Sequence, residues 1–531
     1  MILDFNIYQE KVKGCWVGKN IGGVFGEPFE VKRQWNDATF YTQDLSMGPP
    51  PNDDLDLQIV WLSAVERYGR NVNASILGDY WLNFVTPNWV EYGTGKANLR
   101  AGMAPPISGA LDNQYCNSCG CFIRSEIWAC LAPGNPALAA RYAYEDAVVD
   151  HAEDGMQAEL FCAALQSAAF VESDPYKLID IGLSYVPKDG RFAAAIHAAL
   201  DAKRDGLSFR EAVARIHAAA PGTFGVQNVT NTEARRRSDL MGFDEIGEPG
   251  LDAPENCGIF VAAWLYGKDF EEQMILCNSA GEDTDCTCAT LGATLGIING
   301  AAGLPEKWCA PLNDKIKTKC INNTSGGVWI PDTCTQLADR ILRVTPGFLG
   351  VKLCDLFAPG GYAIRCQENL YCPDQTDYMY RMNGSGKDHN LSACQLAALG
   401  SYVLRAETPC FEVLVDLKGE PYFRFGEDRA LHVTVRNKME MKQQEWARIT
   451  LHTPDGVEMR CAKQVLQPLN NLWGATAEAD FVFNADQYVP ARMELLIDVQ
   501  LEGRHTCGVV KVVLARAGAA RPCACGQGLC P

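Results

Sequence analysis

The sequence predicts a multidomain protein, an all-α domain followed by an all-β, immunoglobulin-like sandwich. Apolar and small residues recur at helical spacing from Lys11 to about Leu342. From about Cys410 the pattern changes to period-two alternation, broken by turns such as Pro454-Asp455-Gly456. The chain has 531 residues, too many for one ordinary core. The expected division is a helical domain at 1–345, a connecting segment at 346–405, the sandwich at 406–516 and a Cys-containing, disordered tail at 517–531.

In chain order, Lys11–Glu30 (KVKGCWVGKNIGGVFGEPFE) reads as a tightly packed helix. Gly14, Gly18 and Gly22 stand four apart, and Gly26 and Pro28 end it. Residues 31–51 read as a loop. Asn52-Asp53-Asp54-Leu55-Asp56 then opens a helix over Leu55–Val65. Trp81, Phe84 and Trp89 read as core. Segment 91–112 is rich in Gly and Pro and reads as a long loop of the kind that lines sites.

Cys116, Cys119 and Cys121 form a CxxCxC cluster with no fourth zinc ligand at a familiar spacing. Helices follow over Ile123–Leu131, Ala137–Val149 and Met156–Val171, with Asp150-His151 between the last two. The run Arg235–Arg237 reads as a solvated face. Asn256–Tyr266 reads as a buried helix. It leads to Asn278–Gly300, NSAGEDTDCTCATLGATLGIING. There Asp283 and Asp285 precede an apolar run whose Ala289 and Ala293, and Gly292, Gly296 and Gly300, stand four apart. On a helix that spacing makes one narrow face that admits a close neighbour. Strands are expected over Phe411–Leu417, Ala430–Arg436, Ala447–His452, Phe481–Phe483 and Met493–Val499.

The acids admit two accounts. Asp at a helix start caps free N–H groups and suits the macrodipole. Two acid-headed helices brought together would instead hold a hard cation such as Mg²⁺.

These two motifs resemble the metal motifs of the ADP-ribosylglycohydrolase family, a Thr-Asp-Asp near the N-terminus and an Asp-x-Asp-Thr near the end of the domain, which hold a pair of Mg²⁺ ions. The resemblance covers about residues 10–345. It implies Asn52, Asp53, Asp54, Asp283 and Asp285 as metal ligands, Asp283 as ligand or base, and Glu30 as an acid approaching substrate and metal. It also implies Gly120, in a loop passing near ribose and phosphates, Arg124, which would hold a phosphate or a carboxylate, and His151 as residues lining the substrate. Asn52 stands in place of the family's Thr, Cys286 in place of its last Thr, and Gly23 in place of an acid common in the first helix. The Asp283-Thr284-Asp285-Cys286 form resembles a bacterial branch of the family.

The implied activity is metal-dependent hydrolysis of an N- or O-glycosidic bond to a ribose-like sugar, small or protein-linked. The alternative is a binding or structural protein that has lost the chemistry. Thiol catalysis has no supporting Cys–His motif. A formal net charge of -18 argues against nucleic-acid and anionic-membrane partners. With no signal-peptide pattern, a cytoplasmic location with the 23 Cys reduced is expected, and homo-oligomerisation stays open.

Overall fold

The computed structural model describes residues 1–30, 33–221, 250–324, 326–373, 391–439, 443–518, 521–522 and 529–530. The basic run at Arg235–Arg237 lies outside them, as does most of the tail.

The chain divides into two compact units. One comprises Met1–Glu91, Asn113–Ala147 and His151–Pro373, and the other Tyr92–Asp112, Val148–Asp150 and Asp374–Pro531. The first is helical, with one small sheet in which Ala363–Arg365 lies between Ile2–Leu3 and Cys354–Asp355.

At its centre the first long helix, Phe5–Gly26, packs along Thr284–Asn299. The two glycine stripes meet backbone to backbone. A Cβ added at Gly14, Gly18, Gly22 or Gly26 would collide with the carbonyl of Gly296, Gly292, Cys288 or Thr284 respectively. The low helix propensity of Gly is offset by this contact and by the apolar faces it lets close. Thr284 Oγ1 donates to Gly26 O at 2.8 Å, which ties the start of the second helix to the end of the first.

Around this pair stand Asp56–Tyr68, Glu126–Leu131, Pro136–Ala147, Glu153–Ala168, Ala253–Tyr266 and Cys334–Leu353. A buried polar network crosses the interior. Lys19 Nζ contacts Glu126 Oε1 at 3.1 Å with both side chains fully buried, and Gln58 and Gln166 each donate to Glu126.

The second unit contains two five-stranded sheets with one shared apolar core. One sheet runs Val403–Glu407, Phe411–Asp416, Asp428–Asn437, Thr476–Ala485, Val457–Met459. The other runs Gln464–Leu469, Glu445–His452, Arg492–Leu501, Cys507–Arg516, Tyr422–Phe423. All pairings are antiparallel except the last. Val433 pairs with Val415 and Ala479, and Ile497 with Leu451 and Val510, so each inward residue meets an inward residue.

Segment 91–112 is not the predicted loop. It contains a helix, Val90–Arg100, and a short helical turn, Ile107–Ala110, and Met103, Ile107 and Leu111 join the core of the sandwich. Its glycines hid the helix, and its few apolar residues carry no period that names a distant partner. Trp81 is core as expected, but Trp89 is 45% exposed. Among the described residues no helix is long and apolar enough to cross a membrane.

Candidate metal centre

The starts of two helices bring the acids together. Asn52 N–H donates to Lys317 O at 3.2 Å, and Asn52 Oδ1 accepts the N–H of Asp54 at 2.7 Å, which folds the chain into a tight turn before Asp56–Tyr68. Asp56 is the anchor of that turn. Its Oδ2 accepts the backbone N–H groups of Lys319 and Cys320. Across from it, Gly281 and Glu282 both adopt left-handed backbone (φ 74° and 68°) and deliver Asp283 to the start of Thr284–Asn299. For Glu282 that conformation is strained. A buried cluster holds it: Arg33 Nε lies 2.7 Å from Glu282 Oε1, Arg33 Nη2 lies 3.3 Å from Glu255 Oε2, and His217 stands 3.5 Å from Glu282 and 3.2 Å from Glu255. Asn256 Oδ1 accepts the N–H of Asp283 at 3.2 Å.

Helix capping does not account for these acids. The side chain of Asp283 makes no capping hydrogen bond, and neither does the residue preceding Asp56. Asp54 is 2% exposed, and neither of its carboxylate oxygens has a hydrogen-bond partner among the described residues. The Asp285 carboxyl and the thiols of Cys286 and Cys119 stand beside Asp283, whose buried Oδ1 also lacks a hydrogen-bond partner among the described residues. Ligand atoms of Asp283, Asp285 and Cys286 all lie within 4.8 Å of one another.

The charges crowd. Burial and the neighbouring carboxylates push Asp54 up to about 7, against the pull of Lys19. Burial raises Asp285 well above the carboxylate range, helped by Glu30 and Asp54. Glu30 is half-buried, and burial with Asp283 and Asp53 raises it to about 8 while Lys319 pulls the other way. Lys319 Nζ lies 3.4 Å from Asp53 Oδ1 and 5.1 Å from the centre of the Trp89 ring. Buried, unpartnered, mutually repelling carboxylates are the donor set that a divalent cation satisfies.

The predicted substrate residues are placed differently. Arg124 is fully buried, with Nε 2.8 Å from Asp146 Oδ1 and Nη1 donating to Gly120 O at 2.8 Å. A carboxylate, that of Asp146, is in contact with it. Gly120 thus anchors that guanidinium through its carbonyl. His151 is buried, with Nε2 2.8 Å from Ser118 Oγ, and so holds the 116–121 loop. The cysteines of that loop do not converge: Cys119 goes to Asp283, and Cys121 donates to Gly155 O. Cys119, Lys319, Asn256 and the Arg33 cluster were not read as site residues. Asn256 and Cys119 lie in stretches the sequence singled out for other reasons. Lys319 and Arg33 carry no spacing signal.

A family model described as ADP-ribosylglycohydrolase matches residues 5–347. The chain belongs to the ADP-ribosylglycohydrolase family. The matched span contains both acid-headed helices and the whole acid cluster, whereas the sandwich strands lie outside it. Among solved structures, the chain is similar to one titled ADP-ribosylglycohydrolase-related protein complex, at 19% identity and a TM-score of 0.38, over 64% of this chain and 100% of that one. A weaker likeness is to Pseudomonas fluorescens alkylpurine DNA glycosylase AlkC bound to DNA containing an abasic site analog, at 9% identity and a TM-score of 0.13, over 76% of this chain and 98% of that one. No curated protein matches the chain.

Proposed function

We propose that this member of the ADP-ribosylglycohydrolase family is a divalent-cation-dependent hydrolase that cleaves an N- or O-glycosidic bond to a ribose-like sugar. One observation carries the reading: three buried carboxylate oxygens, two on Asp54 and one on Asp283, have no hydrogen-bond partner among the described residues and lie among further acids. Asp53, Asp54, Asp283 and Asp285 would hold the cation. When bound, it would orient sugar hydroxyls and water and offset developing negative charge.

The chain's own groups supply the rest. Glu30, raised to about 8 in the metal-free protein by burial and by Asp283 and Asp53, stands beside those acids, where a group that passes a proton to the leaving atom is needed. Lys319, exposed at Asp53, gives the site a fixed positive charge that a phosphorylated substrate would meet. Arg33 and Glu282 keep Asp283 in place.

The test is release of free sugar from ADP-ribosyl and other ribosyl substrates, with divalent cation and with EDTA. Turnover that needs the cation and is lost in Asp285→Ala supports the reading. Turnover undiminished in EDTA contradicts it.

A second reading, a family member without the chemistry, is favoured by Asn52. Its amide oxygen is committed to the N–H of Asp54. A cation that binds without any ribosyl substrate being cleaved would support that reading.

A further inference from the structure

Around the acid cluster the neutral oxygens of Thr284, Thr287 and Asn52 are each held by a hydrogen bond of the fold. Thr284 Oγ1 donates to Gly26 O at 2.8 Å. Thr287 Oγ1 donates back to Asp283 O at 3.0 Å. The amide oxygen of Asn52 holds the N–H of Asp54. Cys286 differs. It is 8% exposed, and its sulfur lies within 4.8 Å of ligand atoms on both Asp283 and Asp285. The orphaned carboxylate of Asp54 lies against Gly23, on the same helix as the Gly26 that meets the backbone of Thr284 and Asp285.

A set that includes the Cys286 sulfur suits Mg²⁺ poorly. Mg²⁺ requires hard oxygen ligands in octahedral array, whereas thiolate selects softer cations. Two carboxylates and a sulfur are ligands that Zn²⁺ and Co²⁺ accept.

We propose that Asp283, Asp285 and Cys286, with Asp54 opposite, bind a borderline cation of the Zn²⁺ and Co²⁺ class in preference to Mg²⁺, with the Cys286 thiolate as a ligand. The proposal rests on the cation-dependent reading above and names its cation. Binding exchanges the thiol proton for the metal and involves no redox change. The cation also relieves the repulsion among the acids, which otherwise opposes a thiolate here.

Co²⁺ reports sulfur ligation directly, through a thiolate-to-cobalt charge-transfer band in the near ultraviolet. The full-length, metal-free protein is titrated with Co²⁺ alone. Wild type is expected to show the band at about one equivalent, and Cys286→Ser and Asp285→Asn to lose that first-equivalent band. A wild-type protein without the band, or a band unchanged in Cys286→Ser, overturns the proposal. Because Cys286→Ser can fail to fold, wild type is also followed by thermal denaturation. Co²⁺ or Zn²⁺ should give half-maximal stabilisation at a concentration about tenfold or more below that of Mg²⁺. Equal or better stabilisation by Mg²⁺ overturns it. Failure here is distinguishable from failure of the function. Co²⁺ bound through Cys286 without glycosyl cleavage keeps this inference and removes the activity. Mg²⁺-driven cleavage without a Cys286-dependent band does the reverse.

Discussion

Gly18 and Gly292 exclude each other's side chains: a Cβ on either residue would fall on the other's carbonyl oxygen. The same relationship links Gly14 and Gly296, so the helix ending beside the acids is set at backbone contact with the one that begins there. Gly18→Ala should therefore force two packed backbones apart. The expected cost is about 1–3 kcal/mol or more of unfolding free energy, the range for overpacking a closed core. Chemical denaturation checks it, and a cost near zero would mean the helices slide freely.

Asp54 should show opposite signs with and without cation. In metal-free protein its charge is buried, without a hydrogen bond among the described residues and beside Asp53 and Asp283. Asp54→Asn removes that charge and should raise stability in EDTA at about pH 8 by roughly 1–3 kcal/mol. It should also abolish stabilisation by divalent cation. Thermal melts of both proteins, with EDTA and with cation, read the two signs.

The acids also set a pH dependence. Asp54 at about 7 and Glu30 at about 8 both lie above their ordinary values of 3.8 and 4.5. A folded-state pKa raised above the unfolded one gives stability that is full below the unfolded value and is lost as pH rises through the folded value. Metal-free protein should therefore lose stability from about pH 4 upward and level off above about pH 8. Cation competes with those protons, so the stabilisation it gives should grow over the same window. Melting temperatures across that range test both slopes, and a cation effect that shrinks with pH would contradict them.

Arg33 carries the buried cluster under Glu282. Replacing it by Ala leaves Glu282 and Glu255 buried without their guanidinium. A loss of about 3–5 kcal/mol is expected, as for breaking other buried pairs, with partial recovery in Arg33→Lys. Equilibrium unfolding of both variants measures it.

The elements legible in the sequence are those whose signal is local. Gly14, Gly18 and Gly22 and their counterparts in Thr284–Asn299 announced close-packed helix faces by their spacing alone, and Asp53-Asp54 and Asp283-x-Asp285 announced the cluster. Alternation revealed the strand from Phe411 but passed over Cys507–Arg516, where Val512, Val513 and Leu514 are all buried and blur the period. Contacts between distant segments left no trace. Lys319 reaches Asp53, Arg33 reaches Glu282, and Met103 reaches the core of the sandwich, all from stretches whose own residues show no period. Arg124 and His151 stand out in the sequence by type and position, but nothing local to them names the buried partners they contact, Asp146 and Ser118.

The most direct test of the cation site is calorimetric titration of metal-free protein with a divalent cation, in wild type and in Asp285→Ala. Saturable binding is expected in wild type, and the substitution should remove it while the fold persists by circular dichroism. Heats that are absent from wild type, or equally present in Asp285→Ala, would show that these acids hold no cation and would contradict that expectation.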